Sequence, residues 1–201
     1  MKARLMRPFP ILAPILALCA APVLADDCAD LARHLISTPP TEHGPYIVHA
    51  AGTMGGMATV THQHVIEDQH MLAETIEPKG MHDVLHYKGG AYAPEGEGWQ
   101  LLYQSDAAAM QDQSTQGRQE QSDAILSATC TDDDMEGQAL TRVEAQLGPV
   151  QVFEKGMTYL FWVTPDEHRR IRMDMAYELN GMPTKVRFDF TWVPDLALPT
   201  P

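Results

Sequence analysis

MTYLFWVT (157–164), PDEH (165–168), RRIRMDMAY (169–177), ELNGMP (178–183) and TKVRFDFTWV (184–193) follow one another near the end of this chain. Three runs rich in β-branched and aromatic residues are separated by two turn-type breaks. The last run alternates cleanly. Val186, Phe188, Phe190 and Trp192 point one way; Lys185, Arg187, Asp189 and Thr191 point the other. Successive side chains leave a strand on opposite faces, so a period of two marks a half-buried strand. Residues 157–193 are therefore expected to form an antiparallel meander with one wet face.

Working outward, residues 46–53, 57–66, 70–77 and 81–88 read as strands. Gly52, Gly55 and Gly56 break the first, and Glu67-Asp68-Gln69 and Pro78-Lys79-Gly80 are short connections. Gly89-Gly90 leads through a poor strand to a loop at 94–98, and strands follow at 99–104 and 139–147. Two segments are helical in character. Residues 27–36 (DCADLARHLI) carry apolar side chains at helical spacing behind Asp27 as a cap, and Pro39-Pro40 ends them. Residues 106–128 are rich in Ala, Gln, Asp and Ser, with a break expected near Gly117. Their low apolar content suits a surface cover better than a core helix. Residues 131–136 read as an acidic loop, and Asp132-Asp133-Asp134 lacks the spacing and the closing Glu of an EF-hand. The expected fold is mostly β (α+β). It is one strongly curved antiparallel sheet of about nine or ten strands, with two or three helices against the concave face.

The opposite end of the chain speaks to location. Lys2, Arg4 and Arg7 precede an apolar run at 11–21, and Val23-Leu24-Ala25 presents residues suited to signal peptidase. Residues 1–25 are expected to be a cleaved signal peptide, with 26–201 as one domain. Pro14 interrupts a run too short to span a bilayer. Leu18 before Cys19 is too bulky for a lipidation site. The expected product is soluble and periplasmic. Beyond the signal, 11 Lys and Arg face 27 Asp and Glu. That balance argues against nucleic acid and anionic membrane surfaces as partners. Cys28 and Cys130 remain, and an even pair in an exported chain is expected to form a disulfide. They are not arranged as C-x-x-C, so a catalytic dithiol is not expected.

Several passages resemble the lipoprotein-carrier superfamily, the LolA/LolB-like half-barrels. Glu74-Thr75-Ile76 runs into 81–88, then Gly89-Gly90-Ala91-Tyr92, an acidic Gly-rich turn, and Gly98-Trp99-Gln100. Near the end, Phe161-Trp162-Val163, Pro165-Asp166, Arg170 and Arg172 are similar to that family's penultimate hairpin, and a proline-rich tail follows at 194–201. The resemblance implies a concave apolar face that receives acyl chains under helical lids. It would place Val186, Phe188, Phe190 and Trp192 along the cavity. The chain lacks a lipidated N-terminal cysteine, so the resemblance is to the soluble, LolA-like members. It implies a non-enzymatic carrier of a lipid or lipoprotein acyl chain, with no cofactor and with peripheral contact to membrane proteins.

A second signal is local. Six of the nine histidines fall between His49 and His86, with Met54, Met57, Met71 and Met81 among them. Imidazole suits Zn and Cu, and thioether suits Cu(I). If both short connections are three-residue hairpin loops, residue 62 pairs with 74, 64 with 72, 74 with 84 and 72 with 86. His62, His64, Glu74 and His86 then share one sheet face as a Cu or Zn site. A slip of one residue in either hairpin destroys that set. There is no G-x-S-x-G, P-loop or dinucleotide-binding glycine pattern, so no enzyme is expected. A third reading is an interaction module without a small ligand, which an exposed apolar patch would mark.

Overall fold

The computed structural model describes residues 25–54, 56–151 and 153–201. All but the last residue of the expected signal segment lies outside the described residues. The chain begins with helix α1 (Ala25–Ser37) and a 3₁₀ turn (Pro40–His43). A first meander follows: β1 (Tyr46–Met54), β2 (Met57–Glu67), β3 (His70–Glu77), β4 (Val84–Tyr87), β5 (Gly90–Glu95) and β6 (Gly98–Gln104). Helix α2 (Ala107–Asp123) leads to a second: β7 (Ile125–Met135), β8 (Gln138–Leu147), β9 (Met157–Val163), β10 (Arg170–Leu179) and β11 (Met182–Trp192).

The two meanders make one antiparallel sheet of 11 strands, because β1 pairs with β11. The order is β6-β5-β4-β3-β2-β1-β11-β10-β9-β8-β7. The sheet is curved and unclosed, a half-barrel whose edges are β6 and β7. Helix α2 joins those two edges. At 1.5 Å per residue it is about 25 Å long, enough to carry the chain from one rim toward the other.

Three local expectations are corrected. Gly52 does not break β1; it sits inside the strand opposite Val186, where a Cβ would collide with the Lys185 carbonyl. A glycine there lets the backbones of β1 and β11 approach at the junction of the two meanders. Helix α2 runs unbroken through Gly117 and stops at Asp123. Residues 125–135 form strand β7, which pairs with β8 out to Met135↔Gln138. Pairing along a whole partner strand outweighs the poor strand propensity of Asp132-Asp133-Asp134. The acidic residues also suit an edge, where charge discourages further strand addition.

The main core lies under α1. Its buried face, Cys28, Ala32, Leu35 and Ile36, packs over Val143, Ala145 and Leu147 of β8 and Met157, Tyr159, Phe161 and Val163 of β9. Strand β9 alternates buried and half-buried residues along its entire length, so the period read in the sequence is the period observed. Cys28 and Cys130 are joined, with Cα atoms 5.6 Å apart, tying α1 to β7 as expected.

Candidate functional site

The register places the inward residues strand by strand. Phe161 on β9 faces Met173 on β10, and Met173 faces Phe188 on β11. Phe188 and Phe190 face Ala50 and Val48 on β1; Trp192 faces Tyr46. Tyr46 faces Val65 on β2, and Val65 faces Met71 on β3. Val186, Phe188, Phe190 and Trp192 therefore share the inner face with the main core, as the alternation requires. Phe188, Phe190 and Trp192 pack against a second cluster built on Tyr46, Val48 and Val65. The Tyr46 ring lies 5.5 Å from Phe190 and 5.4 Å from Trp192, centroid to centroid.

Between the two clusters the inner face is not filled. A cavity of about 330 Å³ lies there, bounded by both helices and by β1, β2, β3, β9 and β10. Leu35 and Ile36 of α1, Val65, Met71, Phe161 and Met173 supply its apolar wall. Arg118 and Gln121 of α2 line the helical side, and Tyr159 donates to Gln121 Oε1 at 2.8 Å. The volume is at the small end for small-molecule sites, which are concave and mostly apolar with a few placed polar groups.

One polar group in the wall is a buried cation. Arg170 is 7% exposed. A register shift between Arg170 and Arg172 sets Arg170 opposite Val163 and Arg172 opposite Trp162. The two arginines, two positions apart, thus face opposite sides of the sheet. Nη2 of Arg170 donates to the carbonyl of Leu35, in the last turn of α1, and, at 2.7 Å, to that of Thr38 just beyond the helix. The last carbonyls of a helix have no partner within it, and a basic side chain at its C-terminus satisfies them. Burial lowers its pKa to about 10, so it stays charged at neutral pH. Burial likewise pushes the hydroxyls of Tyr46 and Tyr159 up to about 12, which keeps both neutral.

The chain is similar to solved structures of low sequence identity. One is a domain from Vibrio parahaemolyticus named for outer-membrane lipoprotein sorting. It is 8% identical, over 84% of this chain and 92% of that one, with a TM-score of 0.32. Another is a LolA superfamily protein from Nitrosomonas europaea, 10% identical over 88% of this chain and 96% of that one, with a TM-score of 0.37. No family model matches the sequence. No curated protein matches it.

The histidine site expected on the first meander is not assembled. His62 pairs with Glu74 and His64 with Leu72, as expected, and His64 Nε2 lies 3.1 Å from Glu74 Oε2. The next hairpin is out of register by one: Leu72 pairs with Leu85 and Met71 with His86. The connection is residues 78–83, longer than Pro78-Lys79-Gly80 alone, and Val84 opens β4. Since side chains alternate, that single slip sends His86 to the inner face, away from His62, His64 and Glu74. His49 is the side chain that joins the outer group, its ring 5.0 Å from that of His62. Among the described residues no three His, Cys, Asp or Glu side chains are arranged to hold a metal ion.

A larger hollow of about 760 Å³ lies where β1, β11, β10 and β9 meet. Ala51, Thr53, Thr158 and Ala176 line it, with the Asp174–Arg187 ion pair at its side. These are outward positions on four strands, and no helix contributes to its wall.

Val186, Phe188, Phe190 and Trp192 lie on the inner face but do not line this cavity, contrary to the placement the resemblance implies; Leu35, Met71, Arg118, Arg170 and Met173, not expected there from the sequence, shape it. Met173 was legible, since it alternates with Met175 in RRIRMDMAY. Arg170 was not, because the bulge that turns it inward has no mark in the sequence.

Proposed function

We propose that this protein is an exported, periplasmic carrier of an apolar ligand such as a lipid or a lipoprotein acyl chain. It works by sequestering the ligand under its helices, without covalent chemistry. The observation that carries this reading is the cavity between the curved sheet and the two helices, whose wall is largely apolar. Small-molecule sites are concave and mostly apolar with a few placed polar groups, and this wall has that character. Helix α2 supports the reading further. Its only buried residue is Ser122, so it lies over the cavity without being anchored in the core. Burying apolar ligand surface there contributes about 25 cal/mol per Å².

Native mass spectrometry of protein purified from the periplasm of an exporting host tests this. An adduct of lipid mass, removed by organic solvent, is expected. Filling the cavity with Met71→Trp should abolish the adduct while leaving the circular dichroism of the sheet intact. A wild-type protein that carries no adduct and takes up no added long-chain amphiphile would overturn the proposal.

A further inference from the structure

We infer that the cavity selects an amphiphile with an anionic head group, a carboxylate or a phosphate monoester, held by Arg170. The inference rests on the carrier reading and names the class of its ligand. The chain as a whole is strongly acidic, with a formal net charge of −13. The cavity wall reverses that bias, for its charged residues are Arg118, Arg170 and Asp68. Asp68 is matched by Arg118, whose Nη2 lies 3.7 Å away. Arg118 is further held by the Ser37 carbonyl and by Ser114 Oγ. Arg170 has no such match. Among the described residues no carboxylate lies within ion-pair distance of it, and Glu42 acts on it only from farther off.

A buried cation facing carbonyl dipoles alone is incompletely compensated. Charges taken out of water are paired in most proteins, because the desolvation cost is several kcal/mol per ion. Both protein hydrogen bonds of Arg170 leave from Nη2. Among the described residues Nε and Nη1 make none, and they belong to a guanidinium that lines the cavity. Each of these free donors can give a charge-assisted hydrogen bond to one oxygen of a carboxylate or phosphate, and such a contact is strong where water is excluded. The Phe161 ring, 5.8 Å from Arg170 Cζ, covers one side of the guanidinium and adjoins the apolar wall. Head group and chain therefore have adjacent, chemically distinct places: the head at Arg170, the chain along Val65, Met71 and Met173.

Three ligands with the same sixteen-carbon chain separate the terms: palmitate, hexadecyl phosphate and hexadecanol, each displacing a neutral fluorescent probe from the full mature chain. At least one anionic ligand is expected to bind about tenfold tighter than hexadecanol, and the better of the two identifies the head-group chemistry. Arg170→Gln should bring that ratio below about threefold, and Arg170→Lys, which keeps the charge, should retain part of it. Arg142→Gln, on the outer face, should leave the ratio unchanged. Arg170 also holds the end of α1, so a variant that fails to fold leaves the wild-type ratio as the deciding measurement. Hexadecanol binding as tightly as both anions would overturn the anionic selection and leave the carrier reading standing. Displacement by none of the three would overturn both.

Discussion

The two halves of the sheet have opposite relations to water. On β7 to β10 the inner face is capped by α1, and β9 buries every second residue from Met157 to Val163. Strand β6, at the far rim of the other half, has no buried residue, and Leu101, Leu102 and Tyr103 are each about half exposed. Both halves are antiparallel meanders, although β4 to β6 are short strands of 4 to 7 residues. What separates them is the helix. A sheet face becomes core only where another apolar surface covers it, and a half-barrel has too few helices to cover all of its concave side. The closed half supplies stability. The seam between the halves is where an unfilled cavity can persist.

Four measurements test that contrast. The largest effect should come from the link between α1 and the closed half. Replacing both Cys28 and Cys130 by serine reopens a loop of 102 residues, which costs roughly 4–5 kcal/mol in the chain-entropy model. Urea unfolding measures this, and a loss of only a few tenths would mean that α1 holds the half closed by packing alone. Next is Phe161→Ala. Phe161 is 1% exposed at the centre of the closed half, so its truncation should cost about 3–5 kcal/mol. Leu101→Ala, at 50% exposure on β6, should stay within about 0.5 kcal/mol. Equal costs for the two would refute the division into halves.

The smallest effect concerns pH. His86 faces the inner side of the open half, and burial holds its pKa below the usual histidine value. The unfolded chain then binds a proton more readily than the folded one. Stability should fall as pH drops through about 6.5 and level off below the folded value. His86→Gln should remove that part of the acid sensitivity. Comparing urea midpoints at pH 7.5 and pH 5 for wild type and variant tests the sign. A wild type that gains on acidification relative to the variant would show that His86 is not buried as described.

The comparison also explains what could be read from residues alone. Alternation is a strong signal where one face is fully buried, and the strands of 157–193 were legible to within a residue or two at their ends. It is weak where both faces are partly wet. The first meander yielded its strands, while its β3–β4 pairing came out one residue away from the simplest hairpin. Helix α2 was legible by composition, but its end was not. Residues 125–135 have little strand propensity and become a strand through pairing with β8.

The mostly β architecture, the inward set Val186, Phe188, Phe190 and Trp192, the disulfide partners and the acidic character of the chain were all legible in the residues alone. These depend on local period and on counts, which no distant contact can change. Which of Arg170 and Arg172 faces the cavity, and on which face His86 lies, were settled by strand pairing. In each case one residue of register reverses the side chain, and register is set by the partner strand. Whether a cavity remains between the two apolar clusters is likewise a tertiary matter, because that space depends on how α1 and α2 lie across a curved sheet.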